Sequence, residues 1–291
     1  MNDEKEALLD VRNLRVSFES YDARLEKVAF TAISDLGVMV NRGEILAVVG
    51  SSGSGKSLLA HAVMGILPEN ARTGGEMYYR GKPLTVREKA RLRGREIAFI
   101  PQSVAFLDPL MRVGEQVRGV PGDSLRTKQR EAFAHFDLKN ETEKLYPFQL
   151  SGGMARRVLL STAYVVDAEL IIADEPTPGL DLELALEALK DFRAMADRGK
   201  GVILITHDID LALHVADTIS IFYDGRVVET ADTDAFGGDG SGLRHPYSRA
   251  LFGALPQNGF RLDRCPECDG SSATWIVDEK AMRCCCGDAR G

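Results

Sequence analysis

The sequence predicts an α/β fold built on a mostly parallel sheet that carries a phosphate-binding loop. Three observations lead there. Gly50-Ser51-Ser52-Gly53-Ser54-Gly55-Lys56-Ser57 spells G-x-x-x-x-G-K-S, directly after the apolar run 45–49 and before the helix-compatible run 58–67. From residue 152 onward, helical runs alternate with strand-length apolar runs, the pattern of a parallel sheet with helices on its faces. One of those runs, Leu170-Ile171-Ile172-Ala173, ends in two acids, Asp174 and Glu175.

The loop comes first because the rest is arranged around it. Glycines let successive backbone N–H groups point at one anion, and the following helix adds the positive end of its dipole. Gly50, Ser51, Ser52, Gly53, Ser54 and Gly55 therefore read as a phosphate cradle. Lys56 is expected to reach the β- and γ-phosphates, and the Ser57 hydroxyl to hold Mg²⁺.

In chain order, residues 8–18 read as a strand, 19–27 as a polar insert and 30–40 as a second strand. Residues 41–44 form the turn into the strand that feeds the loop. Residues 73–84 suggest a hairpin with Gly81 at its turn. Residues 85–96 read as a charged helix, and 97–100 as a short buried strand ending at Pro101-Gln102. The stretch 113–146 is polar and helix-rich, as expected of a helical subdomain inserted between strands; taken widest, that insert spans about 103–165. Then follow helix 152–166, strand 169–173, helix 182–198, strand 201–206, helix 208–216 and strand 218–223. Residues 232–242, rich in Gly and Asp, read as a linker. A short helix from His245 and a loop-rich tail complete the chain. The expected division is 1–231 for the main domain and 232–291 for an extension.

Composition narrows the function. A formal charge of −7 and a pI near 5.4 show none of the basic surplus that nucleic-acid binding requires. No apolar run approaches 18 residues, and the start MNDEKEALLD has no basic-then-apolar leader. The chain is expected neither to cross a membrane nor to be secreted, though it could dock against a membrane protein. All five cysteines follow residue 264, which argues for something local to the tail rather than a framework of disulfides.

The strand ending in Asp174-Glu175 is expected to lie beside the strand of the phosphate loop. Asp174 then reaches Mg²⁺ through water, and Glu175 orients or deprotonates the attacking water. His207, after strand 201–206, is placed to hydrogen-bond the γ-phosphate, and Gln102 to sense that phosphate or Mg²⁺. Leu150-Ser151-Gly152-Gly153-Met154 opens a helix with Ser151 as its N-cap. Two glycines in a first helical turn cost of order 1 kcal/mol each. Close approach of backbone N–H groups to an anion justifies that cost. With one phosphate loop already present, this second anion-binding helix start implies an ATP held by another subunit, and so a dimer with nucleotide at its interface.

These motifs, in this order, resemble the ATP-binding cassette (ABC) family over about residues 8–230. Residues 50–57 match its Walker A, Gln102 its Q-loop, residues 150–154 its signature, residues 170–176 its Walker B, Pro178-Gly179-Leu180-Asp181 its D-loop and His207 its switch histidine. Met154 departs from the usual Gln but leaves Ser-Gly-Gly intact. The resemblance implies a P-loop NTPase with an N-terminal antiparallel β subdomain, an inserted helical subdomain and a Cys-containing C-terminal extension. It also implies ATP hydrolysis with Mg²⁺ bound through Ser57, Gln102 and Asp174, and catalysis by Glu175, His207 and Lys56. Phe18 falls where adenine is stacked, and Ser151, Gly152, Gly153 and Asp181 serve the partner's ATP.

A narrower resemblance runs through residues 101–117 and 244–256 to the oligopeptide, dipeptide and nickel importer ATPases. It implies a second ATPase subunit, identical or related, two transmembrane permeases, an extracytoplasmic binding protein, and a peripheral place on the cytoplasmic face of the inner membrane. The tail pattern C-x₂-C-x₁₅-CCC supplies thiolates at Cys265, Cys268, Cys284 and Cys286 for Zn²⁺ or a [4Fe–4S] cluster. The rival reading is a cassette serving as a subunit of a soluble metabolic complex rather than in transport.

Overall fold

The computed structural model describes residues 6–21, 25–51, 53–119, 123–180, 182–238, 240–255 and 258, together with the backbone of a short hairpin in the tail. The chain opens with two long strands, β1 (Ala7–Tyr21) and β2 (Lys27–Asn41), paired antiparallel. The segment expected as a polar insert thus gives its first residues to β1, and the exposed charged face there explains why it reads as loop. Strand β3 (Ile45–Gly50) is wholly buried and runs into helix α1 (Lys56–Met64). The hairpin β4 (Ala71–Tyr79) and β5 (Lys82–Pro83) returns to pair with β1, and α2 (Val86–Leu92) leads to β6 (Ile97–Ile100).

Helices α3 (Val113–Arg118), α4 (Asp123–His135) and α5 (Gly152–Val166) lie between β6 and β7 (Leu170–Asp174). Then come α6 (Leu182–Asp197), β8 (Gly201–Thr206), α7 (Ile209–Leu213), β9 (Thr218–Tyr223), β10 (Arg226–Asp232) and α8 (Pro246–Gly253). In the loop-rich tail, β11 (Trp275–Asp278) pairs antiparallel with β12 (Ala281–Cys284).

The main sheet has the order β5-β4-β1-β2-β10-β9-β3-β8-β7-β6. Strands β9, β3, β8, β7 and β6 run parallel, their apolar runs buried on both faces as parallel strands require. One expectation is corrected: β7 is not beside β3, because β8 lies between them. The ladder pairs Val49 with Thr206 and Asp174 with Ile205, so the ends of β3 and β7 stand level, two strand spacings apart. That gap of about 10 Å opens at the carboxyl end of the sheet, where ligands of open α/β folds bind.

The described residues of segment 232–242 are packed rather than a free linker. It contains a 3₁₀ turn, Thr233–Phe236, and Phe236 is buried with Leu243, Tyr247 and Phe252 against Val49 of β3 and Ile221 of β9. No helix among the described residues is long and apolar enough to cross a membrane.

Candidate active site

The loop 50–57 is shaped by two different demands on glycine. Gly50 pairs with Phe222, and a Cβ on Gly50 would stand 2.3 Å from the Phe222 carbonyl oxygen, so only glycine lets β9 approach. Gly55 is the N-cap of α1 at φ 102, a backbone that side chains rarely adopt. Lys56 is 6% exposed and its Nζ donates to the carbonyls of Gly50 and Ser51, both at 2.8 Å, which centres the ammonium inside the loop. Burial lowers its pKa from the usual lysine value, and the charges of Glu175 and Asp174 oppose the shift. Ser52 lies outside the described residues.

Asp174 ends β7, buried, and its Oδ1 has no protein partner. Burial raises its pKa above the usual aspartate range, and the Ser57 hydroxyl pulls the other way. A buried, orphaned carboxylate oxygen facing a serine hydroxyl fits a hard cation such as Mg²⁺. The raised pKa carries a stability cost. The folded protein holds the proton where the unfolded chain has released it, so stability falls as pH rises above the ordinary carboxylate range, and the cost is present at pH 7. Asp174→Asn should therefore raise the nucleotide-free melting temperature at pH 7 while removing Mg²⁺-dependent turnover. A lower melting temperature would show that the carboxylate supports the fold.

Glu175 follows at φ 46, a left-handed backbone for a residue with a side chain, and its N–H donates to the Ile205 carbonyl at 2.8 Å. Its carboxylate is nearly buried and meets two groups from the end of β8. His207 Nδ1 lies 2.8 Å from Oε1, and the Thr206 hydroxyl donates to Oε2 at 3.5 Å. The structure thus brings together Lys56, Ser57, Asp174, Glu175 and His207 at one end of the sheet.

Gln102 is exposed just past β6, its carbonyl accepting from Arg156 at 2.8 Å. Phe18 is partly buried against the core that includes Leu58 and Leu59 of α1, so part of its ring is committed to packing and part is open. Ser151 caps α5, its hydroxyl accepting from the Met154 N–H at 3.3 Å. Ser151 and Gly152 are exposed. A Cβ on Gly152 would meet nothing within 4 Å among the described residues, and one on Gly153 only the Gly179 carbonyl at 3.9 Å. Packing among the described residues therefore does not require these glycines. Asp181, Cys265, Cys268 and Cys286 lie outside the described residues, as does the side chain of Cys284. Among the described residues no group of three or more His, Cys, Asp or Glu could hold a metal.

Two contributors escaped the sequence reading. Thr206 had no signal beyond its place at a strand end. Arg156 had one: at helical spacing it falls in line with the buried Leu159, Leu160 and Ala163, and a charge on a core stripe asks for partners.

A buried Lys56 in its loop and Glu175 set beside His207 define a nucleotide-hydrolysing cassette. Residues 33–178 match the ABC transporter domain. The oligopeptide transport ATP-binding protein OppD of Escherichia coli (strain K12) is 35% identical over 267 residues, covering 87% of this chain and 77% of that protein. The probable D,D-dipeptide transport ATP-binding protein DdpD of the same organism is 33% identical over 301 residues, covering 95% of this chain and 87% of that protein. A dimeric ATP-binding cassette in a post-hydrolysis state, bound to ADP and Pi, superposes with a TM-score of 0.66 at 25% identity, covering 77% of this chain and 98% of that one. The chain belongs to the ABC transporter ATP-binding family, and it is an ATPase.

Proposed function

We propose that this chain powers an importer of oligopeptides or dipeptides as one of two ATPase subunits beneath a pair of transmembrane permeases. Residues 1–231 form the cassette, with the helical insert near 103–165, and 232–291 the extension. Phosphates sit on the loop 50–57 and adenine against Phe18. Ser57, Gln102 and Asp174 would hold Mg²⁺, which would neutralise charge on the transferred phosphoryl group. Glu175 takes the proton of the attacking water, with His207 and Thr206 fixing its carboxylate. Lys56 offsets charge that develops on the phosphate oxygens. Ser151, Gly152, Gly153 and Asp181 complete the site of the facing subunit.

The observation that supports coupling to a permease is the segment after Gln102. Phe106, Leu110 and Met111 are exposed, Leu110 at 86%, a few residues downstream of Gln102. A run of exposed apolar side chains marks an interaction surface, and here it is tied to the fuel site. The relatives named for oligopeptide and D,D-dipeptide transport support a peptide cargo. Nickel or a chelated metal is the other cargo of the wider group. In reconstituted vesicles with its permeases and binding protein, the complex should take up oligopeptide on addition of ATP. Leu110→Asp should cut that uptake at least tenfold with basal ATP turnover within twofold. ATP-dependent uptake of nickel without peptide would reassign the cargo, and co-purification with soluble enzymes instead of permeases would favour the metabolic-complex reading. Zinc and iron assays on protein purified without oxygen test whether the cysteine tail carries Zn²⁺, a [4Fe–4S] cluster or neither.

A further inference from the structure

The Arg156 guanidinium is 3% exposed, and the reaction as described makes no use of it. Its Nη1 donates to the carbonyls of Pro101 at 2.7 Å and Gln102 at 2.8 Å, and its Nε to the carbonyl of Pro176 at 2.9 Å. These oxygens lie just past the last rung of the ladder between β6 and β7, which pairs Ile100 with Ala173. Beyond that rung the two strands part, and the fork of Arg156 replaces the missing rungs with three hydrogen bonds.

The tie falls on two functional loops at once. One leads into Gln102. The other holds the carbonyl immediately after Glu175, whose left-handed backbone persists only where its surroundings over-determine it. On one side the Ile205 carbonyl holds Glu175 through its N–H, and on the other Arg156 holds Pro176. Arg156 itself stands three residues after Gly153, on the same helix that Ser151 caps. Burial lowers its pKa from the usual arginine value, and the charges of Asp174 and Glu175 oppose the shift.

We infer that Arg156 is a positioning residue that fixes Glu175 and Gln102 to helix α5, so that a chain's own hydrolytic site moves with the Ser-Gly-Gly it presents to its partner. The inference rests on the ATPase site above and is independent of cargo or permease. A lysine can keep the charge but cannot make the planar fork, so Arg156→Lys separates the two.

The full-length chain carrying Arg156→Lys should show kcat for ATP reduced at least tenfold with KM within threefold, because the loop 50–57 is untouched. Amide hydrogen exchange without nucleotide should quicken at residues 102, 103, 175 and 177 and stay unchanged at 54–58. Arg156→Gln should do the same more strongly. Turnover within twofold of the parent for Arg156→Lys, with unchanged exchange, would overturn the inference. Exchange that quickens across the whole cassette, with KM rising alongside the fall in kcat, would overturn it too, in favour of general structural support. Since none of these measurements involves peptide or membrane, a failed uptake assay leaves the result standing.

Discussion

Glu175→Gln should lower ATP turnover at least a hundredfold while leaving ATP binding intact. The substitution keeps the shape of the side chain but leaves one carbonyl oxygen where His207 and Thr206 meet Oε1 and Oε2 separately, and it removes the ability to accept a proton. A positioned general base contributes typically 10²–10⁴ in rate, or roughly 3–5 kcal/mol at the transition state. Lys56 and Ser57 remain as they are, so the variant should accumulate with ATP bound, and dimers held together by that ATP should become visible by light scattering. The left-handed backbone at 175 is the same for Gln as for Glu, so folding is not at issue. Turnover that survives the substitution would remove Glu175 from its role and leave the water to be oriented by His207.

What could be read in advance follows from where each piece of chemistry is written. The phosphate loop, Asp174-Glu175 and Ser-Gly-Gly are contiguous, because one turn or one strand end must present several groups to one ligand. Strand order is not written locally. Nothing in residues 201–206 tells that they slot between β3 and β7, since any right-handed crossover in a parallel sheet satisfies the same local pattern. Strand β10 falls outside the sequence expectation although its turn carries a signal. Asp224-Gly225 is a hairpin dipeptide, and both residues adopt positive φ, 49° and 74°. Its strand, RVVETAD, is half exposed and alternates poorly, so the turn was the better evidence. Arg156 is illegible for another reason. Its partners are three backbone carbonyls from distant loops, and backbone acceptors carry no residue-type signature.

Ser151→Arg should silence the facing subunit's ATP site at least a hundredfold and spare the site in its own chain. Loss of the cap costs α5 about 1 kcal/mol, too little to unfold a helix whose buried face includes Ala155, Val158, Leu159 and Ala163. The effect comes instead from a long cation placed where an exposed helix start would meet the partner's γ-phosphate. Two differently tagged copies of the chain make the assignment testable. With Ser151→Arg in one copy and Glu175→Gln in the other, both lesions fall in a single composite site, and the second site keeps turning over at about half the parental rate. With both substitutions in the same copy, each site carries one lesion, and turnover is lost. A signature acting on its own chain's nucleotide predicts the reverse: loss for the split pair and half-activity for the combined one. The opposite pairing also bears on Gly152 and Gly153. A ligand from outside the chain accounts for two glycines that no neighbour among the described residues demands.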